Sequence, residues 1–372
     1  MKVKLPQRVE AWLDGTGIAI NGSEPWDIRV RHERFFARIL ADGSLGFGES
    51  YMDGWWECER IDELVTRLLR QDVRSRLRPN LALIIDAVHA RLQNRQNKKR
   101  AFRIGEVHYD IGNDLYQAML DRHLTYTCGY WKNATTLDEA QEAKLDLVCR
   151  KIGLKPGQSI LDIGCGWGSF AKFAAEKYGA RVVGITVSKE QIKLGQELCR
   201  GLPVELRLQD YRDVLETFDH VISLGMFEHV GHKNYRTYFE IARRCLKDGG
   251  LFLLNTIGGN LSSHTTDPWI DKYIFPDSLI PSAAQITKAT EGLFVMEDWH
   301  NFGADYDKTL LAWHRNVEAH WPELENRYDD RFHRMWRFYL LSCAGSFRAR
   351  LNQCWQIVYS KNGVLGGYDS VR

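Results

Sequence analysis

The stretch Ile160-Leu161-Asp162-Ile163-Gly164-Cys165-Gly166-Trp167-Gly168-Ser169-Phe170 carries the clearest structural signal in the chain. An apolar run ends in three alternate glycines, and the residues that follow are apolar at helical spacing as far as Gly179. This pattern predicts a strand, a tight loop and a helix. Glycine lets such a loop adopt left-handed conformations and approach a ligand, and the N-terminus of the helix offers unpaired N–H groups. The stretch therefore predicts a nucleotide-type binding loop.

The spacing of the glycines bears on the ligand. It is G-x-G-x-G, whereas a dinucleotide-binding loop is usually G-x-G-x-x-G followed about 20 residues later by an acidic residue. The next predicted strand, 181–187, contains Thr186 near its end but no Asp or Glu. The glycine spacing and the missing acid therefore disfavour an NAD site. A glycine turn that binds no ligand is a further alternative.

Size and composition restrict the classes of protein to be considered. The chain has 372 residues, with 50 lysines and arginines against 48 acids. It can therefore bury a large core in about two domains, and it is no obvious polyanion binder. Its eight cysteines form no C-x-x-C pair, which favours reduced thiols in a cytoplasmic protein over a disulfide framework. The sequence has no apolar leader and no run of about 18 apolar residues, which predicts a soluble protein whose membrane contact is peripheral.

The chain is predicted to divide into two domains joined by a linker. Residues 1–92 form a smaller N-terminal mixed α+β domain, and the polar segment 93–103 is the linker. Residues 104–372 form the larger domain, in which the aromatic segment around 259–290 is predicted as an insertion that caps a ligand site.

The first domain combines a short strand, a glycine-rich segment and basic helices. Residues 28–30 resemble a strand, 43–56 are rich in glycine and aromatic residues, and 61–69 are helical. From Arg67 to Arg103 there are eleven lysines and arginines and two acids, and residues 81–92 place their apolar side chains on one face. A basic amphipathic helix of this kind can lie on an anionic membrane surface. A helix that packs its apolar face into the core is an equally supported alternative.

Short apolar segments alternate with helical segments on either side of the glycine loop. Beyond the loop, the predicted strands are 181–187, 204–208, 220–226, 251–257, 294–299 and 355–359. With the strand that enters the loop, they predict a doubly wound, Rossmann-like α/β sheet of seven strands. Its ligand is expected at the carboxyl ends of the strands.

Polar residues follow four of these strands and are expected to converge on one ligand. Thr186 and Gln191 are placed to contact a ribose. Gln209 and Asp210 are placed to contact an adenine edge, and Glu228 follows its strand beside the expected reactive atom. The glycine loop, the strand order and these strand ends together predict a class I S-adenosylmethionine methyltransferase.

Six ordered motifs carry a resemblance to a known family. They are GESYMDGWWE (48–57), HYDIGND (108–114), YTCGYW (126–131), LDIGCGWG (161–168), MFEHVG (226–231) and NFGADY (301–306). Taken together, they make the chain similar to the bacterial cyclopropane-fatty-acyl-phospholipid synthases. The resemblance covers nearly the whole chain.

The resemblance implies transfer of a methylene group from S-adenosylmethionine to the cis double bond of an unsaturated acyl chain in a membrane phospholipid. An alkene is a poor nucleophile, so the donor must be held in line with it, and the carbocation that forms must be shielded from water. The resemblance further implies that a bound bicarbonate removes the proton before the ring closes. It also implies a homodimer that associates peripherally with an anionic membrane surface on its cytoplasmic side.

Matching the motifs residue by residue assigns two sets of site residues. Those implied for the bicarbonate are Cys128, Glu228, Ile257 and Tyr306. Those implied for S-adenosylmethionine are Tyr126, Thr127, Asp162, Gly164, Gly166 and Gly168, to which the strand ends described above add Thr186, Gln191, Gln209 and Asp210. The family's histidine on the fifth strand is Asn255 here, and an amide can donate a hydrogen bond but carries no proton at neutral pH. The anion site is therefore expected to be kept with altered affinity or base strength.

Other conspicuous residues favour structural roles. Cys343 is a weak candidate for a nucleophile and is better explained as a packing thiol, because the chemistry needs no covalent step. His229 and His232 lack further ligands at metal spacing, so no metal site is predicted. Neither a helix-turn-helix pattern nor an aromatic RNA-binding motif is present, so no nucleic-acid partner is predicted.

Two alternative functions stay open. A methyltransferase that acts on a small amine or hydroxyl would need a polar pocket, whereas the segment 267–280 is largely apolar. A membrane-bound sensor that binds S-adenosylmethionine without turnover is favoured only by Asn255.

Overall fold

The structure is a computed structural model that describes residues 6–71 and 112–372. Two compact units divide these residues. The first unit takes 6–71, His264–Pro276 and Leu310–Asn352, and the second takes 112–263, Asp277–Thr309 and Gln353–Arg372. The predicted insertion 259–290 is thus divided between the units. The predicted linker 93–103, the basic helix 81–92 and the start of the 108–114 motif lie outside the described residues.

The described residues form twelve α-helices and nine strands. The helices are α1 Gln7–Leu13, α2 Phe35–Met52, α3 Ile61–Arg70, α4 Asn113–Met119, α5 Leu137–Lys151, α6 Ser169–Tyr178, α7 Lys189–Leu198, α8 Tyr235–Cys245, α9 Pro268–Tyr273, α10 Ala283–Thr290, α11 Ala304–Leu324 and α12 Asp330–Arg348. The strands are β1 Arg29–Val30, β2 Trp56–Glu57, β3 Ser159–Ile163, β4 Arg181–Thr186, β5 Val204–Leu208, β6 His220–Leu224, β7 Leu251–Gly259, β8 Val295–Asn301 and β9 Asn352–Ser360.

A cluster of aromatic side chains forms the core of the first unit. Trp56 lies in β2, which pairs antiparallel with β1, and its buried ring stacks on Phe47 with 4.4 Å between centroids. Phe338 of α12 meets Trp56 edge-on at 6.2 Å and Trp269 of α9 at 4.8 Å. The predicted strand and helix of this region are present as β1 and α3, which confirms a mixed α+β unit.

Helix α2 runs into the glycine-rich segment 43–56, whose sequence does not predict a helix. The helix is kinked at Gly43, whose φ of 59° is not helical. Packing requires two further glycines. A Cβ at Gly46 would lie 2.5 Å from the carbonyl oxygen of Arg38, and a Cβ at Gly48 would overlap the indole of Trp269. Close packing therefore outweighs the cost of glycine inside a helix, which is about 1 kcal/mol per residue.

The second unit is built on a seven-stranded sheet with the order β5-β4-β3-β6-β7-β9-β8. Strands β3 to β7 pair in parallel, whereas β8 and β9 are antiparallel. Alternate residues enter different cores, so that Leu161 and Phe252 belong to one and Ile160 and Leu253 to the other. The predicted doubly wound, Rossmann-like sheet of seven strands is confirmed. Because β3 to β7 run in parallel, their carboxyl ends meet at one edge.

Several strand boundaries differ from the predicted ones. Strand β6 ends at Leu224 rather than Met226 because Gly225 has a φ of 71°, which turns the chain out of the sheet. Strand β7 continues to Gly259, and β9 already begins at Asn352. The early end of β6 places Glu228 in a short 3-10 turn, Phe227–His229, instead of directly behind the strand.

Seven of the eight cysteines are buried, and Cys343 is half-buried. Burial raises the pKa of the Cys58 and Cys343 thiols to about 12, so both stay protonated at neutral pH.

No helix within 6–71 and 112–372 is long and apolar enough to cross a membrane.

Candidate active site

The three glycines of the loop after β3 have different tasks. All have left-handed backbones, with φ of 85°, 57° and 84° at Gly164, Gly166 and Gly168. A Cβ at Gly164 would lie 2.5 Å from the Cβ of Met226, and one at Gly168 would lie 3.1 Å from the Sγ of Cys199. A Cβ at Gly166 would meet no described atom within 4 Å. Gly164 and Gly168 therefore serve packing, and Gly166 faces the open space that a ligand can fill.

Replacing Gly166 with alanine is expected to weaken S-adenosylmethionine binding roughly tenfold, or about 1.4 kcal/mol, because the added methyl group enters that space. The left-handed backbone adds a stability cost of about 1–2 kcal/mol. Gly157→Ala is the matched control, since Gly157 has a φ of 79° and open space among the described residues but lies before β3. Calorimetric titration and thermal unfolding of both variants test this. If Gly166→Ala and Gly157→Ala bind S-adenosylmethionine with equal affinity, the assignment of Gly166 to the cofactor site is wrong.

Residues at the ends of β4 and β5 form a connected set. The hydroxyl of Thr186 donates to Oε1 of Gln191 at 2.8 Å, and both side chains are buried. The backbone N–H of Gln209 donates to the carbonyl of Thr186 at 3.0 Å. The carboxylate of Asp210 accepts from the backbone N–H of Arg212 and pairs with its guanidinium, each at 2.9 Å. The structure thus places Thr186, Gln191 and Gln209 next to one another. The Asp210 carboxylate is bound instead by Arg212, two residues further along the chain.

A buried lysine supports the segment that contains Tyr126 and Thr127. Lys144 of α5 is fully buried, and its Nζ donates to the Thr127 hydroxyl at 2.8 Å. Gln141, one turn earlier, donates to the Thr127 carbonyl at 2.7 Å. Burial lowers the pKa of Lys144 to about 8, and burial raises the pKa of the Asp162 carboxyl to about 7 although the charge of Lys144 opposes that rise. Lys144 thus links the segment to the end of β3.

Glu228 is held by the backbone of two neighbouring segments. Its Oε1 accepts from the N–H of Ile257 in β7 at 2.6 Å, and its carbonyl accepts from the N–H of Leu279 at 2.7 Å. Its Oε2 is buried and has no hydrogen-bond partner among the described residues. Burial raises the pKa of this carboxyl to about 7, while the bond from Ile257 opposes the rise. Glu228 therefore exchanges a proton near neutral pH and has one oxygen available to a ligand.

The remaining bicarbonate candidates lie close to one another. Asn255 is buried, its Nδ2 lies 3.9 Å from the Sγ of Cys354, and its Oδ1 has no partner within the described part of the chain. Cys128 is fully buried and donates to the carbonyl of Gly129 at 3.3 Å, and burial raises its pKa, with the neighbouring Cys354 adding to the rise. Burial raises the pKa of Tyr306, and the neighbouring Cys354, Cys128 and Glu228 add to the rise. The ends of β6 and β7 thus surround a buried polar site.

Comparison with known proteins decides the family. Residues 96–357 match the family model described as mycolic acid cyclopropane synthetase. The chain belongs to this family. At 54% identity over 355 residues, it is similar to the cyclopropane-fatty-acyl-phospholipid synthase of Escherichia coli K12, with 95% of this chain and 93% of that protein covered.

Two solved cyclopropane synthases share the fold. MmaA2 from Mycobacterium tuberculosis is 30% identical with a TM-score of 0.66. CmaA1, solved in complex with S-adenosylhomocysteine (SAH) and CTAB, is 32% identical with a TM-score of 0.65. Each comparison covers 70% of this chain and 98% of the solved one. The predicted enzyme class, an S-adenosylmethionine-dependent methyltransferase of the cyclopropane synthetase family, is therefore confirmed.

The site of this cyclopropane synthetase family member also contains residues that the sequence did not single out. Lys144 and Cys354 approach Thr127 and Asn255 respectively. A signal for Lys144 exists, since it occupies a core-facing position of α5, four residues after the buried Ala140.

Cys343 belongs to the first unit, whereas all other assigned site residues belong to the second. Among the residues that the structure describes, no three His, Cys, Asp or Glu side chains are grouped to hold a metal ion.

Proposed function

We propose that this protein transfers a methylene group from S-adenosylmethionine to the cis double bond of unsaturated acyl chains in membrane phospholipids and so forms cyclopropane fatty acids. The observation that carries the proposal is the 54% identity to the E. coli cyclopropane-fatty-acyl-phospholipid synthase across 95% of this chain. The buried Glu228, with one oxygen directed to no described partner, supports it.

Residues around the glycine loop would hold S-adenosylmethionine, which supplies the electrophilic methyl group when bound. The backbone at Gly166 leaves room for it, and the joined side chains of Thr186 and Gln191 offer a hydroxyl and an amide to a ribose. Asp162, in its ionised form, is an acceptor for the donor groups of the ligand. The chain's task is to fix the methyl group in line with the alkene, because orientation supplies most of the rate for a weak nucleophile.

A bicarbonate fits the polar site between the ends of β6 and β7. Glu228 Oε2 and Asn255 Oδ1 are buried oxygens with no partner among the described residues, and either can accept from the single hydroxyl hydrogen of bicarbonate. The Tyr306 hydroxyl and the Asn255 amide nitrogen are donors suited to its other oxygens. When bound, bicarbonate supplies the base that takes a proton from the transferred carbon. Glu228 and Tyr306 orient that base, and their burial keeps water from the cationic acyl chain.

Replacing Asn255 with histidine is expected to raise activity at low bicarbonate. An imidazole adds a group that exchanges protons near neutral pH, which the amide cannot do. The measurement is initial rate against bicarbonate concentration for both proteins in carbonate-depleted buffer, with Asn255→Gln as the control that keeps the amide. If neither the parent nor the histidine variant responds to bicarbonate, the assignment of the anion site is wrong.

We propose further that the reaction takes place at the cytoplasmic face of the membrane, on a peripherally bound homodimer. Phospholipid acyl chains are reached there, and the net charge of +9 from residue 67 to 103 would favour an anionic surface. The segment 259–290 would line the acyl site. Cosedimentation with anionic vesicles at increasing salt concentration tests the membrane binding, and light scattering of the protein tests the homodimer. Vesicle binding unaffected by salt would contradict an electrostatic contribution to membrane binding.

The experiment that tests the function is mass spectrometry of phospholipid fatty acids from cells that make unsaturated lipids but no cyclopropane. After expression of this protein, monounsaturated chains are expected to gain the mass of one CH₂ group and to lose the double bond. If folded protein binds S-adenosylmethionine and the lipids are unchanged, the acceptor lies elsewhere or the protein only binds the cofactor.

A further inference from the structure

The first unit contains a cavity of about 380 Å³ whose wall is rich in arginine. Its charged lining includes Arg29 and Arg31 from the start of the chain, Arg334 and Arg337 from α12, and the acids Glu57 and Glu59. Four guanidinium groups therefore converge on one space from two parts of the sequence. Formal charge in this lining favours an anion, with four positive groups against two negative ones.

One arginine is a fixed part of the wall. The Nε of Arg334 donates to the carbonyl of Tyr51 at 2.5 Å, and a terminal nitrogen donates to the carbonyl of Trp56 at 3.1 Å. The other terminal nitrogen pairs with Glu57 at 3.0 Å, and the guanidinium lies over the ring of Tyr51 at 4.2 Å. Arg334 and Glu57 thus neutralise each other and are immobilised by the backbone.

The other three arginines keep donors available. The Nε of Arg337 is buried and has no hydrogen-bond partner among the described residues. Its paired carboxylate, Glu318, lies 3.7 Å away and already contacts His333 at 3.0 Å. Within the described residues, the side chains of Arg29 and Arg31 make no hydrogen bond or ion pair. After the Arg334–Glu57 pair is set aside, three guanidinium groups face one carboxylate.

We propose that this cavity binds the phosphate group of a phosphate ester or of free phosphate. Planar guanidinium groups donate two parallel hydrogen bonds to an oxyanion, and several of them approaching from different sides suit the tetrahedral oxygens of phosphate better than a flat carboxylate. The Glu59 side chain also makes no hydrogen bond or ion pair with a described residue, and its carboxylate suits an ammonium group carried beside the phosphate. All lining residues of this cavity belong to the first unit, whereas the residues assigned to S-adenosylmethionine and bicarbonate belong to the second.

Calorimetric titration of the whole protein tests this with two probes, inorganic phosphate and glycerophosphoethanolamine, a phospholipid headgroup without acyl chains. We expect saturable binding of at least one probe, weakened by salt. The double variant Arg31→Ala/Arg337→Ala is expected to bind at least about tenfold more weakly, because it loses two guanidinium groups and one charge-assisted hydrogen bond alone has an effect of that size. Arg150→Ala is the matched control, because that arginine pairs along its own helix with Asp146 in the second unit.

The outcomes separate the sources and decide the proposal. Tighter binding of glycerophosphoethanolamine identifies a lipid headgroup, and tighter binding of inorganic phosphate identifies free phosphate. Arg31→Ala alone guards against misfolding, because its side chain is exposed, and retained S-adenosylmethionine binding verifies the second unit in every variant. If the parent protein binds neither probe, or the double variant binds both as well as Arg150→Ala does, the proposal is overturned.

Discussion

Glu228→Gln is expected to lower turnover by about 10³-fold, because the base that Glu228 orients contributes on that scale, and to leave S-adenosylmethionine affinity nearly unchanged. Glutamine keeps the volume and an oxygen that can accept from the N–H of Ile257. It replaces the unpaired Oε2 with an amide that cannot accept a proton. Single-turnover assays on unsaturated phospholipid vesicles and calorimetric titration of the cofactor separate the two quantities. A parallel loss of cofactor affinity would assign Glu228 to the cofactor site instead.

Stability provides an independent control on Glu228. Its pKa of about 7 in the folded protein lies above the ordinary value of 4.5, so the folded state holds the proton more tightly than the unfolded state. Its contribution to stability is therefore fully present below pH 4.5 and declines as the pH rises through 7. Glutamine does not ionise. The melting temperature of Glu228→Gln relative to the parent should thus rise between pH 5 and pH 8, whereas the exposed variant Glu240→Gln should show no such trend.

Lys144→Met is expected to weaken S-adenosylmethionine binding roughly 10- to 100-fold at pH 7, the cost of disturbing a charge-assisted hydrogen bond. Methionine fills the space but removes the donor to Thr127 and the charge that opposes the raised pKa of Asp162. The pKa of Asp162 then rises above about 7, and the carboxyl becomes protonated at neutral pH. It can no longer act as an anionic acceptor for the cofactor.

The pH dependence of cofactor affinity distinguishes this from a general packing defect. In Lys144→Met, affinity should recover as the pH rises above neutral, because Asp162 ionises again. In the parent, affinity should reach its plateau at a lower pH than in the variant, because the charge of Lys144 holds the pKa of Asp162 at about 7. Lys144→Arg should keep near-parent affinity at pH 7, and Lys172→Met, which changes a half-exposed lysine of α6, should leave affinity unaltered. A loss that does not vary with pH would show that Lys144 matters only for packing.

The sheet and the cofactor loop were predictable because their signals are local. Alternate glycines after an apolar run require a tight turn wherever they occur, and parallel strands bring their polar ends to one edge. That reasoning placed Thr186, Gln191 and Gln209 correctly as neighbours. It missed the dominant partner of Asp210, since the pairing with Arg212 depends on the conformation of a three-residue 3-10 turn.

Helix α2 and the partners Lys144 and Cys354 were not predictable for a different reason. Gly46 and Gly48 suggest a loop, and only the close approach of Arg38 and Trp269 explains glycine within a helix. Cys354 reaches Asn255 because β9 lies beside β7, a pairing of strands about 100 residues apart that no local pattern encodes. Long-range packing thus supplies the part of the site that sequence motifs leave out.

The burial of the cysteines makes the protein a natural reporter of its own opening. Protected thiols react with alkylating reagents only when the surrounding structure opens transiently. Among the seven buried cysteines, Cys58 belongs to the first unit and the other six belong to the second. Timed alkylation followed by peptide mass spectrometry would therefore give separate opening rates for the two units without any engineered label, and would reveal whether a bound cofactor slows one unit or both.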